Sequence, residues 1–558
     1  MTSVIHGYCT LCRSRCGTLN TVGGDRLLSV APDPSHPTGT AMCMKGRAAP
    51  EIVHSPHRVF YPMRRTTPKG AKSPGWKRIS WEEALTETAQ KLAAVRKENG
   101  AEAIAFAVTT GSGTPISDSI DWIERFVRHF GSPNICYATE ICNWHKDFAH
   151  VFTFGCGLPA ADFENADTIM LWGHNPANTW LAQASAIAKG RAKGAKLVVV
   201  DPRPIALAKQ ADAWLGVRPG TDTALALGLM REMIERQLYD ESFLRNWTNA
   251  AFLVRQDTGS FACERMVWPH VTTNRYLVWD DERNVPVPID GDRLTPPELS
   301  NRMRLRGSVT VNCVDNQGNR IQIECSPSFE LLAREAARYD PARVKDITGV
   351  DQDKLAAAAE LLQGGRRVAY YAWTGIGQHT NATQMQRAVS SLYALTGSFD
   401  RIGGNRVRRG PFYRGVNAWG KLSREQLAKA LGAKERPIGP PSMGWITARD
   451  MYRAITEEAP YKIRGLVAFG TNSPVSQADT EMAQKALTKV EFHVHCDLFE
   501  TPAAQYADIF LPVTTPWEHE GIRFGFEITD EAAALVQLRR RMVSPREEVR
   551  SDYARDMQ

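Results

Sequence analysis

No apolar run in this 558-residue sequence approaches the roughly 18 residues needed to cross a bilayer, so direct membrane insertion is not expected. Long blocks of one charge are missing too, since 68 basic against 61 acidic residues leave a net charge of only +7. The densest basic runs are Arg539-Arg540-Arg541 and the group Arg406, Arg408, Arg409 and Arg414. Neither is interleaved with a nucleic-acid-binding motif, which argues against a nucleic-acid partner. The second group better suits an anionic cofactor or substrate, or solvent. No repeat with a period of roughly 20–50 residues and no low-complexity segment is present, which excludes solenoids and arrays. Met1-Thr-Ser-Val-Ile-His-Gly-Tyr8 has neither the basic region nor the apolar core of a secretory signal, and no twin-arginine leader precedes Cys9. The expected location is the cytoplasm.

What is present is ordinary for a globular protein, with 43% apolar and 23% charged residues. The length is too great for one core, so several domains sharing an active-site crevice are expected. Eleven cysteines in a reducing compartment should be reduced or metal-bound. Six of them (Cys136, Cys156, Cys263, Cys313, Cys325 and Cys496) read most simply as small buried hydrophobes.

Four others open the chain as a group. Cys9-Thr-Leu-Cys12-Arg-Ser-Arg-Cys16 is completed by Cys43, with intervals of two, three and twenty-six residues. Soft thiolates at this density suit an iron–sulfur cluster or zinc. Structural zinc usually takes two paired knuckles, whereas three ligands here crowd one loop and a lone fourth follows at a distance. That spacing favours a cubane [4Fe–4S] cluster, with zinc as the alternative.

The rest of the chain alternates helix and strand signals. Ser80 and Glu83 form a capping box for a helix that Gly100 stops. Ala103–Val108 then reads as a buried strand running into the turn Thr110-Gly-Ser-Gly113. The unit recurs at Thr168–Trp172, Lys196–Val200, Val368–Tyr371, Leu466–Phe469 and Phe492–His495, each followed by Gly, Asn or Asp. Strands this apolar, alternating with helices, predict parallel sheets covered on both faces, with ligands at the carboxyl ends of the strands. Residues 253–330 read instead as a β-rich excursion.

The cluster motif, followed at once by Lys45-Gly46-Arg47 and the tract Pro50 to Arg64, resembles the start of a molybdopterin oxidoreductase. These are the bis-molybdopterin guanine dinucleotide enzymes that include formate dehydrogenases, nitrate reductases and polysulfide reductases. Gly173-x-Asn175-Pro176, Asp201-Pro202-Arg203 and Arg218-Pro219-Gly220-Thr221-Asp222 resemble the family's dinucleotide-binding turns. Gly375-Ile-Gly377-Gln378, Asn472-Ser-Pro474 and Asp497 resemble the corresponding elements of the other half. Any one alone is an ordinary turn, but their ordered recurrence is specific. Glycine lets backbone N–H groups approach phosphate, and a carboxylate accepts hydrogen bonds from guanine or ribose.

The resemblance implies an α/β fold: a small N-terminal [4Fe–4S] domain plus two Rossmann-like domains forming a central cofactor crevice. The expected boundaries are 1–60 for the cluster domain, 61–135 with 365–558 for the first α/β domain, and 136–364 for the second. It implies that Lys45 is a cation between cluster and pterin, the alternative being a solvated surface lysine. It also implies that Cys142, in Thr139-Glu-Ile-Cys142-Asn-Trp-His145-Lys-Asp147, is the molybdenum or tungsten ligand, with Cys136 the competing position. Glu140, His145 and Asp147 are near enough in sequence to shuttle protons. His145 suits that role best, because histidine titrates near neutrality.

The implied function is oxidation or reduction of a small molecule, with electrons passing through the cluster to a partner protein. Formate is disfavoured, because Asn143 stands after Cys142 where formate dehydrogenases of the family carry histidine. The tract after Gly403-Gly404-Asn405 is altered as well. Two alternatives remain: a non-redox hydratase on the same scaffold, and a metal-free relay or truncated non-catalytic homologue. Such a hydratase is expected to carry aspartate after the second cluster cysteine, where this chain has Arg13. Family catalytic subunits continue beyond the region of Leu535–Arg539 into a C-terminal β-barrel. This sequence stops at Gln558, so poor retention of the cofactor by this polypeptide alone is expected.

Overall fold

A computed structural model describes residues 1–109, 115–138, 141–142, 144–407, 410–411, 414–525 and 530–551. The predicted turn 110–113, together with Thr139, Glu140, Asn143, Arg408 and Arg409, lies outside the described residues. The chain divides into two units. The first comprises Met1–His145, Asn178–Ser185 and Arg408–Gln558. The second comprises Lys146–Ala177 and Ala186–Val407.

The first unit begins with a three-stranded antiparallel sheet of Thr2–Tyr8, Gly17–Gly23 and Arg26–Pro32. Its larger body is an eight-stranded sheet. Trp445–Ile446, Ile135–Cys136, Ile104–Val108, Gly465–Phe469, Phe492–Asp497 and Ile509–Pro512 run parallel in that order. The parallel sheet covered on both faces is the one expected from the sequence. Here the short strands Met63–Arg64 and Lys77–Arg78 close one edge antiparallel.

Alternation along the strands explains how both faces are covered. Ile104, Phe106 and Val108 point into one core with Ile123 and Val127 of the helix Ile120–Phe130. Ala105 and Ala107 point into a second core with Met451, Tyr452 and Leu487. Each large apolar side chain so buried contributes about 1.5–3 kcal/mol, and small alanines let the second layer approach closely. The predicted capping box is present. Ser80 accepts from the Glu83 amide at 3.1 Å, and the Glu83 carboxylate accepts from the Ser80 amide at 2.8 Å. The helix Trp81–Asn99 ends at Gly100, whose φ of 85° favours glycine.

The second unit holds a four-stranded parallel sheet in the order Ala213–Leu215, Lys196–Val200, Thr168–Trp172, Val368–Ala372. One face packs Met170, Trp172, Val198, Val200 and Tyr370 against the helices Asp222–Glu235 and Ala382–Leu395. Residues 253–327 form the β-rich excursion, with strands Leu253–Arg255, Tyr276–Asp280, Val285–Ile289, Val309–Val314 and Arg320–Pro327. Because Val368–Ala372 pairs with Thr168–Trp172, residues 365–407 lie with this unit.

Cys9, Cys12, Cys16, Cys43, Cys156, Cys263, Cys313 and Cys325 are free thiols. Cys136, Cys313, Cys325 and Cys496 are buried, whereas Cys156 and Cys263, also expected inside, are only half-buried. Among the described residues no helix is long and apolar enough to cross a membrane.

Candidate functional site

The cluster motif owes its geometry to sheet pairing. The hairpin of Thr2–Tyr8 and Gly17–Gly23 ends on the pair Tyr8 and Gly17. Immediately beyond it the Cys9 amide donates to the Cys16 carbonyl at 2.9 Å. The first and third cysteines therefore lie across from each other. Cys12 is in the loop between them, where Arg15 adopts a left-handed φ of 44°. Cys43 is the N-cap of the short helix Met44–Arg47. Burial pushes the Cys9 thiol up to about 12, and Cys12 and Cys43 add to that shift. The Cys16 thiol is raised by burial and then by Cys9, Cys12 and Cys43.

Four thiols thus share one electrostatic neighbourhood, in which bound cationic metal would favour the thiolates. Their donor chemistry fits a soft metal centre. Gly46 keeps one side open, since a Cβ there would lie 3.6 Å from Cys9 Sγ and 3.2 Å from Met42 Cγ. Among the described residues no group of three or more His, Cys, Asp or Glu side chains is placed to hold a metal ion. Lys45, in the same short helix, is exposed.

Cys142 is half-buried, and its amide donates to the Ala138 carbonyl at 2.8 Å. His145 is buried at the start of the helix Trp144–Phe154, and Asp147 is half-buried. Asn472 and Asp497 stand at the carboxyl ends of neighbouring parallel strands. The Asn472 carboxamide accepts from the Ala503 amide at 3.2 Å. Asp497 accepts from the Leu498 amide at 2.6 Å.

In the second unit the predicted turns gather along one edge, at the carboxyl ends of the four parallel strands. Gly173 follows Trp172, Asp201 follows Val200, Pro219 and Gly220 lie shortly past Leu215, and Gly375 lies shortly past Ala372. Asn175, half-buried, and Gly377, buried, belong to the same turns, as does the exposed Gln378. The Asp201 carboxylate accepts from the Arg203 amide at 2.9 Å, which fixes that turn and leaves the Arg203 side chain exposed. Asp222 is buried and accepts from the Trp172 indole at 2.7 Å. Burial raises its carboxyl, and the indole bond opposes that rise. Glycine at 220, with φ of 84°, approaches His379, whose Nδ1 would lie 3.6 Å from a Cβ there. Glycine recurs at these strand-end turns, alongside the rings of His174, Tyr371 and Trp373, and such turns are compatible with a phosphate-bearing dinucleotide.

Sequence reasoning missed a buried group in this unit. Lys146 is fully buried, with its ammonium 3.8 Å from the centroid of the Trp373 ring. One turn on, His150 Nδ1 meets the Lys146 carbonyl, and its ring lies 5.8 Å from that of Tyr393. His174 lies 4.8 Å from Tyr371. Lysine is almost never fully buried without a partner, so a lysine inside the Cys142–Asp147 segment was the available signal. A cavity of about 730 Å³ lies elsewhere in this unit, lined by Phe154, Phe243, Trp247, Phe329 and Phe399 among others. None of the predicted site residues lines it.

A cysteine-rich N-terminal sheet and α/β units with glycine turns at their strand ends define a class: α/β proteins with a small, cysteine-bearing N-terminal domain. The molybdopterin oxidoreductase Fe4S4 domain matches residues 2–55, and the molybdopterin oxidoreductase family matches residues 58–554. The chain belongs to the molybdopterin oxidoreductase family. It is 26% identical to dopamine dehydroxylase of Eggerthella lenta, over 90% of this chain and 58% of that protein. It is 25% identical to a sulfite dehydrogenase of Allochromatium vinosum, over 92% of this chain and 58% of that protein. It is also 25% identical to acetylene hydratase of Syntrophotalea acetylenica, over 94% of this chain and 66% of that protein. The solved acetylene hydratase from Pelobacter acetylenicus shares the fold. The TM-score is 0.73 at 21% identity, covering 99% of this chain and 68% of that one. The chain spans about 58% of the length of the dopamine and sulfite enzymes it matches.

Proposed function

We propose that this chain is a molybdenum- or tungsten-dependent oxidoreductase acting on a small molecule. It would bind a [4Fe–4S] cluster through Cys9, Cys12, Cys16 and Cys43, and a bis-molybdopterin guanine dinucleotide through the strand-end turns of two Rossmann-like sheets. The observation that carries this is the gathering of Gly173, Asp201, Gly220 and Gly375 at one carboxyl edge. The metal would supply two-electron redox chemistry when bound.

The chain's own residues do the rest. Backbone amides at the glycine turns bind the pyrophosphates, and Asp201 and Asp497 hold turn geometry through their own backbone bonds. Cys142 offers a soft metal ligand, and the exposed Lys45 is a cation next to Cys43. His145, a buried histidine three residues past Cys142, would take up or release a proton. Cys9, Cys12, Cys16 and Cys43 would hold the cluster that exchanges electrons with a partner protein, in the cytoplasm.

Non-redox hydration is the second reading. Among the three relatives named above, acetylene hydratase is matched over the largest share of this chain. It supports hydration more directly than any finding supports electron delivery to a partner, whereas Arg13 supports the redox reading.

Anaerobically purified protein, assayed for bound molybdenum or tungsten and then offered small molecules with a viologen dye, tests both. Substrate-dependent oxidation or reduction of the dye is the expected result. Product formed without any dye change would establish the hydratase. Iron without molybdenum or tungsten, and no turnover, would leave a relay role.

A further inference from the structure

We propose that the aromatic cavity in the second unit is a binding site for an organic ammonium ion, a protonated amine carried on a flat aromatic body. The inference does not depend on the cluster or the cofactor proposed above, and none of their residues takes part in it.

The cavity has a volume of about 730 Å³, within the range of about 300–1,000 Å³ usual for small-molecule sites. Its place in the fold separates it from the glycine turns. Leu395 and Phe399 line it, and between them Ser398 Oγ accepts from the Val368 amide at 3.1 Å. Residues 395–399 therefore stand at the amino end of the strand Val368–Ala372. The Asp240 amide donates to the Leu395 carbonyl at 2.7 Å, which brings the helix Glu241–Trp247 to the same end. Gly173, Asp201, Gly220 and Gly375 lie at the carboxyl ends of these parallel strands.

Aromatic rings supply the walls. Phe154, Phe243, Phe252, Phe329 and Phe399 line the cavity, and Phe154 stacks on Phe399 with centroids 4.5 Å apart. Trp247, the last residue of its helix, also lines it and is 65% exposed. Flat apolar guests cover such rings favourably, and indole is the strongest cation–π partner among the side chains.

The polar groups of the lining seek a donor. Thr153 gives its hydroxyl proton to the Ala149 carbonyl at 2.7 Å, Thr248 to that of Leu244 at 2.6 Å, and Ser391 to that of Arg387 at 2.8 Å. Ser328 gives its proton to the Asn249 carbonyl. A hydroxyl whose proton is spent offers a guest only its oxygen lone pairs.

Charge leans the same way. Of the charged residues in the lining, Arg245 is matched by Glu241 at 2.5 Å. Asp290 and Asp292 are left with one lining cation, Arg293, whose Nε lies 3.5 Å from Asp290 Oδ2. Arg275, the other cation felt by Asp290, is paired with Glu264 at 2.9 Å. Two carboxylates thus face one guanidinium. Aromatic faces, spent hydroxyls and a surplus carboxylate favour a cation that carries N–H donors and disfavour an anion of the same shape.

Equilibrium dialysis of the full chain against 1-naphthylmethylamine, with 1-naphthoate as the matched anion, tests this. The amine should bind at one site per chain, about tenfold more tightly than the anion. The double variant D290N/D292N should weaken the amine and bring the two affinities together. W247A, at an exposed position, should weaken the amine about fivefold. No binding of the amine, equal binding of the anion, or amine binding unchanged in either variant would overturn the inference. Should one variant fail to fold, the other decides alone.

Discussion

The amide of Gly375 donates to the carbonyl of Gly173 at 3.1 Å, and the two glycines touch backbone to backbone. A Cβ on Gly375 would lie 2.6 Å from Gly173 Cα, and one on Gly173 would lie 2.9 Å from Gly375 Cα. Glycine is thus required at both positions by the packing of one strand-end turn on the next. Gly173 also has φ of 57°. Gly375→Ala should therefore destabilise the second unit by about 1–3 kcal/mol through overpacking that no side-chain rotation can relieve. Thermal unfolding of the parent and variant measures this. Equal stability would show that the turns can part without cost.

Trp172→Phe should cost about 1–3 kcal/mol, because it leaves the buried Asp222 carboxylate without its indole donor. Burial already raises the Asp222 carboxyl, and the indole bond is the largest influence holding it down. A carboxyl raised in the folded state loses stabilising free energy as pH rises from its unfolded value through its folded one. The variant should therefore be more destabilised at neutral pH than near pH 4. Chemical denaturation of both proteins at the two pH values provides the comparison, and a difference independent of pH would count against the account.

His519 should confer acid sensitivity. Its Nδ1 lies 2.9 Å from Thr514 Oγ1, and burial, with Arg539 nearby, holds the imidazole down to about 4. A histidine depressed in the folded state binds its proton preferentially when unfolded. Stability is therefore complete above about pH 6.5 and falls as pH drops toward 4, by about 3 kcal/mol at most. His519→Asn should flatten that slope. An unchanged slope between pH 6.5 and 4 would assign the acid sensitivity to other groups.

Much of the architecture was legible because local signals agreed with it. Ser80, Glu83 and Gly100 delimit a helix by capping chemistry that does not depend on the rest of the fold. The apolar strands announce a sheet buried on both faces because every residue of Ile104–Val108 is buried. Pairing was less legible. Val368–Ala372 joins Thr168–Trp172 across about 200 residues of chain, and nothing local to either strand specifies that partner. The antiparallel edge at Met63–Arg64 and Lys77–Arg78 was hidden for the same reason, each strand being only two residues long.

The candidate site divides similarly. Cys9, Cys12, Cys16 and Cys43 were readable as a group from spacing, and the hairpin sets Cys9 across from Cys16. The roles of Trp172 on Asp222 and of Lys146 on Trp373 depend on tertiary placement, and only the oddity of a lysine among buried neighbours hinted at the second.

The most direct test is the metal content and visible spectrum of anaerobically purified protein, alongside Cys16→Ser and Cys43→Ser variants. The account predicts about four irons per chain and a broad charge-transfer absorbance that bleaches on reduction, both lost in either variant. Zinc in place of iron, or iron that persists after either cysteine is removed, would contradict it.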